Sequence, residues 1–179
     1  MSEVRFTSFP RTQPPPIFIM EIVKAFQECG DSIGTRALTK GLTSDGVLAV
    51  LRERLVALQF QVEMGKRHGQ KIKRPVFFGE GGRATLQYEI DAYHIEWRCG
   101  LEVEAGRAWM GNAVYRDLIQ ALVMVNLDYL VLAVPNTYKY LTRSKPSVSR
   151  DYQNTVAMAD ALYGHSRITM PFGLTVIGY

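Results

Sequence analysis

The sequence predicts an α/β fold, a mixed central sheet (an antiparallel meander plus parallel crossover strands) flanked by helices. Three observations carry that expectation. Amphipathic stretches with helical period lie toward both ends of the chain, and short alternating segments follow one another directly between residues 60 and 104. Residues 129–134, YLVLAV, are apolar without a break, the pattern of a strand buried on both faces. Adjacent strands suit antiparallel pairing, and strands separated by helices suit parallel crossovers.

Each element has a local reason. Residues 1–16 are polar, end in Pro14-Pro15-Pro16, and read as an extended arm ahead of one domain over residues 17–179. A helix is expected over 17–28, stopped at Cys29-Gly30-Asp31. Ser44 or Asp45 then caps a second helix, with Val47, Leu48, Val50, Leu51, Leu55 and Leu58 along one side. Residues 60–63 alternate as a strand, 66–74 (KRHGQKIKR) read as a basic loop, and 76–78, 86–94 and 98–104 read as strands. A helix over 109–127, with Val114, Leu118, Leu122 and Val125 as its core face, precedes the buried strand. Residues 136–150 read as a second basic loop, followed by a helix over 151–163 and a strand over 174–177.

The composition excludes several classes. At 179 residues, 47% hydrophobic and 21% charged, the chain is neither disordered nor collagen-like. No apolar run approaches the ~18 residues that cross a bilayer, and no charged-then-apolar leader pattern opens the chain, so no membrane partner is expected. Two cysteines, Cys29 and Cys99, make neither a disulfide framework nor a zinc site, which points to a reducing cytoplasm. A net charge of +4 is compatible with nucleic acid without requiring it.

The informative segment is Tyr88-Glu-Ile-Asp91, followed ten residues on by Leu101-Glu-Val-Glu104. Strand alternation points Glu102 and Glu104 to one face, and a hairpin between 86–94 and 98–104 brings Asp91 to the same face. Three clustered carboxylates repel one another and become tolerable beside a divalent cation. Mg²⁺ suits them, since it takes one or two carboxylates, keeps waters and accepts phosphate oxygens. The same alternation also describes the solvated face of an ordinary antiparallel sheet. Against that stand the small residues after Glu104 and the basic segments on both sides in sequence.

In these residues and this element order, over roughly 44–134, the chain resembles the PD-(D/E)XK nuclease superfamily, the restriction-endonuclease-like fold. Asp91 matches its first acid and Glu102 its second, while Glu104 stands where the family usually has lysine, a position at which some restriction endonucleases carry Glu. The resemblance implies a metal-dependent DNA endonuclease, most simply a type II restriction endonuclease, with a repair or recombination nuclease or an inactive scaffold as alternatives. It implies Asp91 and Glu102 as ligands of Mg²⁺ (Mn²⁺ as substitute), a Leu101 or Val103 carbonyl as an added ligand, and Glu104 as the group that orients or deprotonates water. Cutting both strands of double-stranded DNA implies a homodimer.

Around that centre, Glu53, Glu89 and Arg107 are candidate outer or phosphate-facing groups, each with an ordinary surface or ion-pair reading beside it. The run Lys66, Arg67, His68, Lys71, Lys73 and Arg74 contains no acid and suits phosphate contact. Lys139, Arg143, Lys145 and Arg150, interleaved with Tyr138 and Tyr140, form a second DNA-binding candidate.

Overall fold

The computed structural model of the chain describes residues 4–35, 41–65, 67–106, 108–142 and 145–179. In chain order its elements are β1 (Arg5–Phe9), α1 (Ile17–Glu28), the single turn α2 (Gly30–Ile33), α3 (Ser44–Ala57) and β2 (Gln61–Val62). There follow β3 (Ile72–Phe78), β4 (Ala84–Ile90), β5 (Ala92–His94), β6 (Cys99–Val103) and α4 (Ala113–Val123). The chain closes with β7 (Tyr129–Val134), β8 (Tyr138–Thr142), β9 (Lys145–Ser149), α5 (Asp151–Gly164) and β10 (Gly173–Gly178).

Six strands form the central sheet in the order β1-β10-β7-β6-β5-β2. The pairs β10–β7 and β7–β6 are parallel, while β1–β10, β6–β5 and β5–β2 are antiparallel. This is the expected mixed sheet, and its two faces follow from alternation. Leu101, Val103, Val131 and Ala133 meet Ile19, Ile22, Val23 and Phe26 of α1 and Val47, Leu48, Leu51 and Leu55 of α3. Leu130, Leu132 and Val134 meet Val114, Leu118 and Ala121 of α4 and Tyr152, Met158 and Ala159 of α5. Leu51 and Leu55 are fully buried, so truncating either to alanine costs about 2–5 kcal/mol.

Several expectations are corrected. Residues 5–9 do not stand apart as an arm but form an edge strand, with Ser8 Oγ 2.8 Å from Thr175 Oγ1 and Phe9 buried. The segment is too short and mixed for its periodicity to announce a strand. Thr43, not Ser44 or Asp45, caps α3, its Oγ1 accepting the Gly46 N–H at 3.2 Å. The strand expected over 86–94 breaks at Asp91, where the chain leaves a separate β3–β4 hairpin and enters the central sheet as β5. Lys73 and Arg74 therefore lie on a strand rather than in a loop, and residues 138–149 form a second hairpin, β8–β9. On α4 the core face is Val114, Leu118 and Ala121, whereas Leu122 faces outward.

The β3–β4 hairpin leans on the sheet at a fixed point. A Cβ on Gly100 would crowd the Cδ1 atoms of Ile90 and Leu127, so the bare glycine leaves room for the end of β4 to pack over β6. Val125 N–H donates to Pro75 O at 2.9 Å and ties the hairpin to the chain leaving α4. These contacts hold the hairpin along one side of a cleft.

Candidate active site

The antiparallel register of β2, β5 and β6 sets Gln61 opposite Tyr93, Val62 opposite Ala92, and Ala92 opposite Leu101. One residue further along, the same register puts Glu63, Asp91 and Glu102 in a row across three neighbouring strands. Two bonds fix that row. Glu63 N–H donates to Asp91 O at 2.8 Å, and Val103 N–H donates to Asp91 Oδ2 at 2.8 Å. Asp91 thus spends one carboxylate oxygen holding its own strand to β6.

Glu104 stands at the mouth of β6 on a clamped backbone. Its N–H donates to Ala133 O at 2.8 Å, its carbonyl accepts the Tyr179 hydroxyl at 2.8 Å, and the next N–H, of Ala105, donates to Ser44 Oγ at 3.0 Å. From α4, Arg116 Nη2 reaches both Glu104 Oε1 and Asp117 Oδ1 at 2.9 Å. Asp117 is 3% exposed, and besides Arg116 its carboxyl shares a side-chain hydrogen bond with Glu104. On the far side, Lys71 Nζ lies 2.7 Å from Glu63 Oε1 and 3.7 Å from Glu89 Oε2. Glu63, Lys71, Glu89, Asp91, Glu102, Arg116, Asp117 and Gln120 line one cleft of about 500 Å³. A second cleft, about 550 Å³ between residues 8–16 and 168–173, carries Asp128 as its one charged side chain.

The electrostatics follow from six acids, Glu63, Glu89, Asp91, Glu102, Glu104 and Asp117, around two cations, Lys71 and Arg116. Burial, with the charges of Glu63 and Asp117 adding to it, pushes the Asp91 carboxyl up to about 6 against the pull of Val103 N–H and Lys71. Burial first, then Asp91, Asp117 and Glu104, holds Glu102 well above the carboxylate range. Burial and the adjoining Asp117 push Glu104 up to about 8, with Arg116 opposing. Asp117 is raised by burial as well. The cleft is short of positive charge, so it takes up either protons or a cation.

Of the sequence-predicted residues, Asp91 and Glu102 are brought together with Glu104 two positions along the same strand face, and Glu89 and Lys71 line the same cleft. Glu53 is not brought in. It is exposed on α3, which packs on the opposite sheet face, and its charge acts on Cys29. Arg74 lays its guanidinium 3.8 Å over the Tyr93 ring. Arg67, Lys73, Lys139 and Lys145 are exposed, while Lys66, Arg107 and Arg143 lie outside the described residues. Glu63 and Asp117 join the cluster from outside the site residues expected from sequence, Asp117 through its ion pair with the neighbouring Arg116 at 2.9 Å. An acid on the inner stripe of an amphipathic helix, next to Leu118 and three residues after Val114, is the signal that would have found Asp117.

The chain thus has the restriction-endonuclease fold, with an acidic cleft where β5 and β6 meet. Among solved structures it is similar to the restriction endonuclease BglII complexed with a DNA 16-mer, with a TM-score of 0.53, 11% identity, and coverage of 98% of this chain and 75% of that one. It is also similar to free BglII, with a TM-score of 0.48 and 12% identity over 98% of this chain and 78% of that one. No protein-family model matches the chain, and no curated protein matches it in sequence. Among the described residues no helix is long and apolar enough to cross a membrane.

Proposed function

We propose that the protein is a Mg²⁺-dependent DNA endonuclease, most simply a type II restriction endonuclease. The observation that carries this reading is the row Glu63–Asp91–Glu102 across the cleft floor, flanked by Lys71 and Arg116, on a fold it shares with a DNA-bound endonuclease.

The donor set fits a hard divalent cation. Asp91 and Glu102 are neighbouring carboxylates with raised proton affinity, and the buried Asp117 beside them shares a side-chain hydrogen bond with Glu104, so the cleft crowds more carboxyl oxygens than its two cations neutralise. Among the described residues no three His, Cys, Asp or Glu side chains close into a cage. Mg²⁺ needs none, because it takes one or two carboxylates and fills its remaining positions with water and phosphate oxygen. Asp91 and Glu102 would hold it. When bound, it supplies Lewis acidity toward the phosphate and an activated water. Glu104, oriented by Arg116, is the base that takes the water's proton. Its carboxyl is pushed up to about 8 in the metal-free cleft, and a cation held by Asp91 and Glu102 would favour the ionised form that this role needs.

Exposed Arg67, Lys73, Lys139 and Lys145 are the DNA-phosphate contacts of this reading, with Lys66, Arg107 and Arg143 as candidates from sequence that lie outside the described residues. A homodimer sets two clefts on the two strands. Tyr115, Ile119, Leu122 and Val123 give α4 an exposed apolar outer stripe that suits the contact. Two free cysteines suit the cytoplasm.

The test is digestion of mixed-sequence plasmid and phage DNA with Mg²⁺, Mn²⁺ or EDTA. Discrete metal-dependent bands support a restriction endonuclease, and a smear a repair-type nuclease. Intact DNA in every tube, with or without metal, sinks the nuclease reading in favour of a binding scaffold.

A further inference from the structure

We propose that Lys71, from the start of the β3–β4 hairpin, supplies the positive charge to the attacked phosphate that a glutamate at position 104 cannot, with Glu63 as its positioning residue. This rests on the nuclease reading above. Lys71 was expected on an exposed basic loop, yet its side chain is only 19% exposed and lines the cleft with Asp91 and Glu102. The β3–β4 register, Ile72 opposite Ile90, brings Lys71 alongside Asp91. An ammonium has three donors, and Glu63 Oε1 takes one at 2.7 Å, while Glu89 at 3.7 Å is beyond bonding distance. The other cation of the cleft, Arg116, is committed to Glu104 and Asp117 on the opposite side.

Glu63 is built to hold this lysine. Its side chain is 6% exposed, its N–H is bonded to Asp91 O at 2.8 Å, and its carbonyl accepts Arg52 Nη2 at 3.1 Å. Burial alone disfavours the Lys71 charge, but Glu63, Glu89 and Asp91 outweigh it, so the amine stays protonated. In the reaction the water oxygen bonds to phosphorus as the bond from phosphorus to the 3′ oxygen breaks. The water's proton passes to the Glu104 carboxylate, the 3′ oxygen takes a proton from solvent, and Lys71 remains protonated, bonded to a non-bridging oxygen.

The variants are Lys71→Met, Lys71→Arg, Glu63→Gln and the double Glu63→Gln/Lys71→Met, each measured for single-turnover cleavage, DNA affinity and Tm. Lys71→Met should lower the cleavage rate by about 10²–10³-fold with DNA affinity within about threefold, and Lys71→Arg should recover part of that loss. Glu63→Gln should cost about tenfold in rate, and the double variant should fall no further than Lys71→Met alone. A merely structural ion pair would lower Tm in all three single variants and leave the rate constant of the folded fraction unchanged, which overturns the assignment. Wild type that cuts together with Lys71→Met cutting equally well overturns Lys71 alone. Wild type that cuts nothing overturns the nuclease reading and Lys71 with it.

Discussion

Asp91 Oδ2 accepts the backbone N–H of Val103 at 2.8 Å, so the first acid of the cleft is anchored on the strand that carries the second. A side chain takes the place of a ladder bond where β4 turns into β5, and that substitution locks Asp91 beside Glu102. Asp91→Asn keeps an acceptor for Val103 and should change stability little. Asp91→Ala leaves the N–H without its partner and should cost about 1–3 kcal/mol. Urea unfolding of the two variants checks this, and equal losses would contradict it.

The raised carboxylates make stability depend on pH in a definite direction. Asp91 at about 6, Glu104 at about 8 and Glu102 well above its ordinary value bind protons more tightly in the folded chain than in the unfolded one. That contribution is fully present below the unfolded carboxylate range near pH 4 and is lost as pH rises through the folded values. Metal-free protein should therefore lose Tm between about pH 5 and about pH 8.5 relative to Glu104→Gln, which keeps the volume and removes the charge. At pH 8 the variant should melt higher, by about 2–4 °C for each kcal/mol of repulsion removed. Buried His94, whose pKa burial lowers, works the other way, favouring the fold as pH rises past its unfolded value. The difference between wild type and variant is thus the quantity to follow. A difference that does not grow with pH would contradict the electrostatic picture.

Basic residues that the sequence offers as DNA-binding candidates should separate by assay. Lys139→Ala and Lys145→Ala remove exposed charges and should each lower the salt dependence of DNA binding by about one counterion. Arg74→Ala removes a guanidinium stacked on Tyr93 and should cost about 1 kcal/mol of stability. Fluorescence anisotropy across a salt series, with a melt on each variant, distinguishes them.

The outer stripe of α4 predicts self-association. Ile119 is 64% exposed and Val123 45%, on the helix that also carries Arg116 and Asp117. Sedimentation should give about twice the 20.2 kDa of the chain, and Ile119→Asp should return it to the monomer mass with its fold intact. A monomeric wild type would contradict the dimer.

What the sequence made legible is what local periodicity encodes. The unbroken apolar run of β7 announced the sheet centre, and alternation in β6 with a short connection to β5 set Asp91 against Glu102. The rest depends on contacts between distant segments. Glu63 enters the row only because β2 pairs with the far side of β5, a long-range choice that no window of β2 contains. Lys71 lines the cleft because the β3–β4 register sets it alongside Asp91, a pairing that the basic run by itself does not contain. Leu122 continued the helical stripe in sequence, yet α4 sits with Val114, Leu118 and Ala121 down, and the period alone does not say which apolar flank meets the sheet.

Asp91 and Glu102 are proposed as a divalent-cation site. Calorimetric titration of Mg²⁺ and Mn²⁺ into wild type and Glu102→Ala tests it most directly. Wild type should bind the ion and release protons as the raised carboxyls ionise, while Glu102→Ala should lose at least about tenfold in affinity with its fold unchanged. Equal binding by both proteins, or none by wild type, would contradict it.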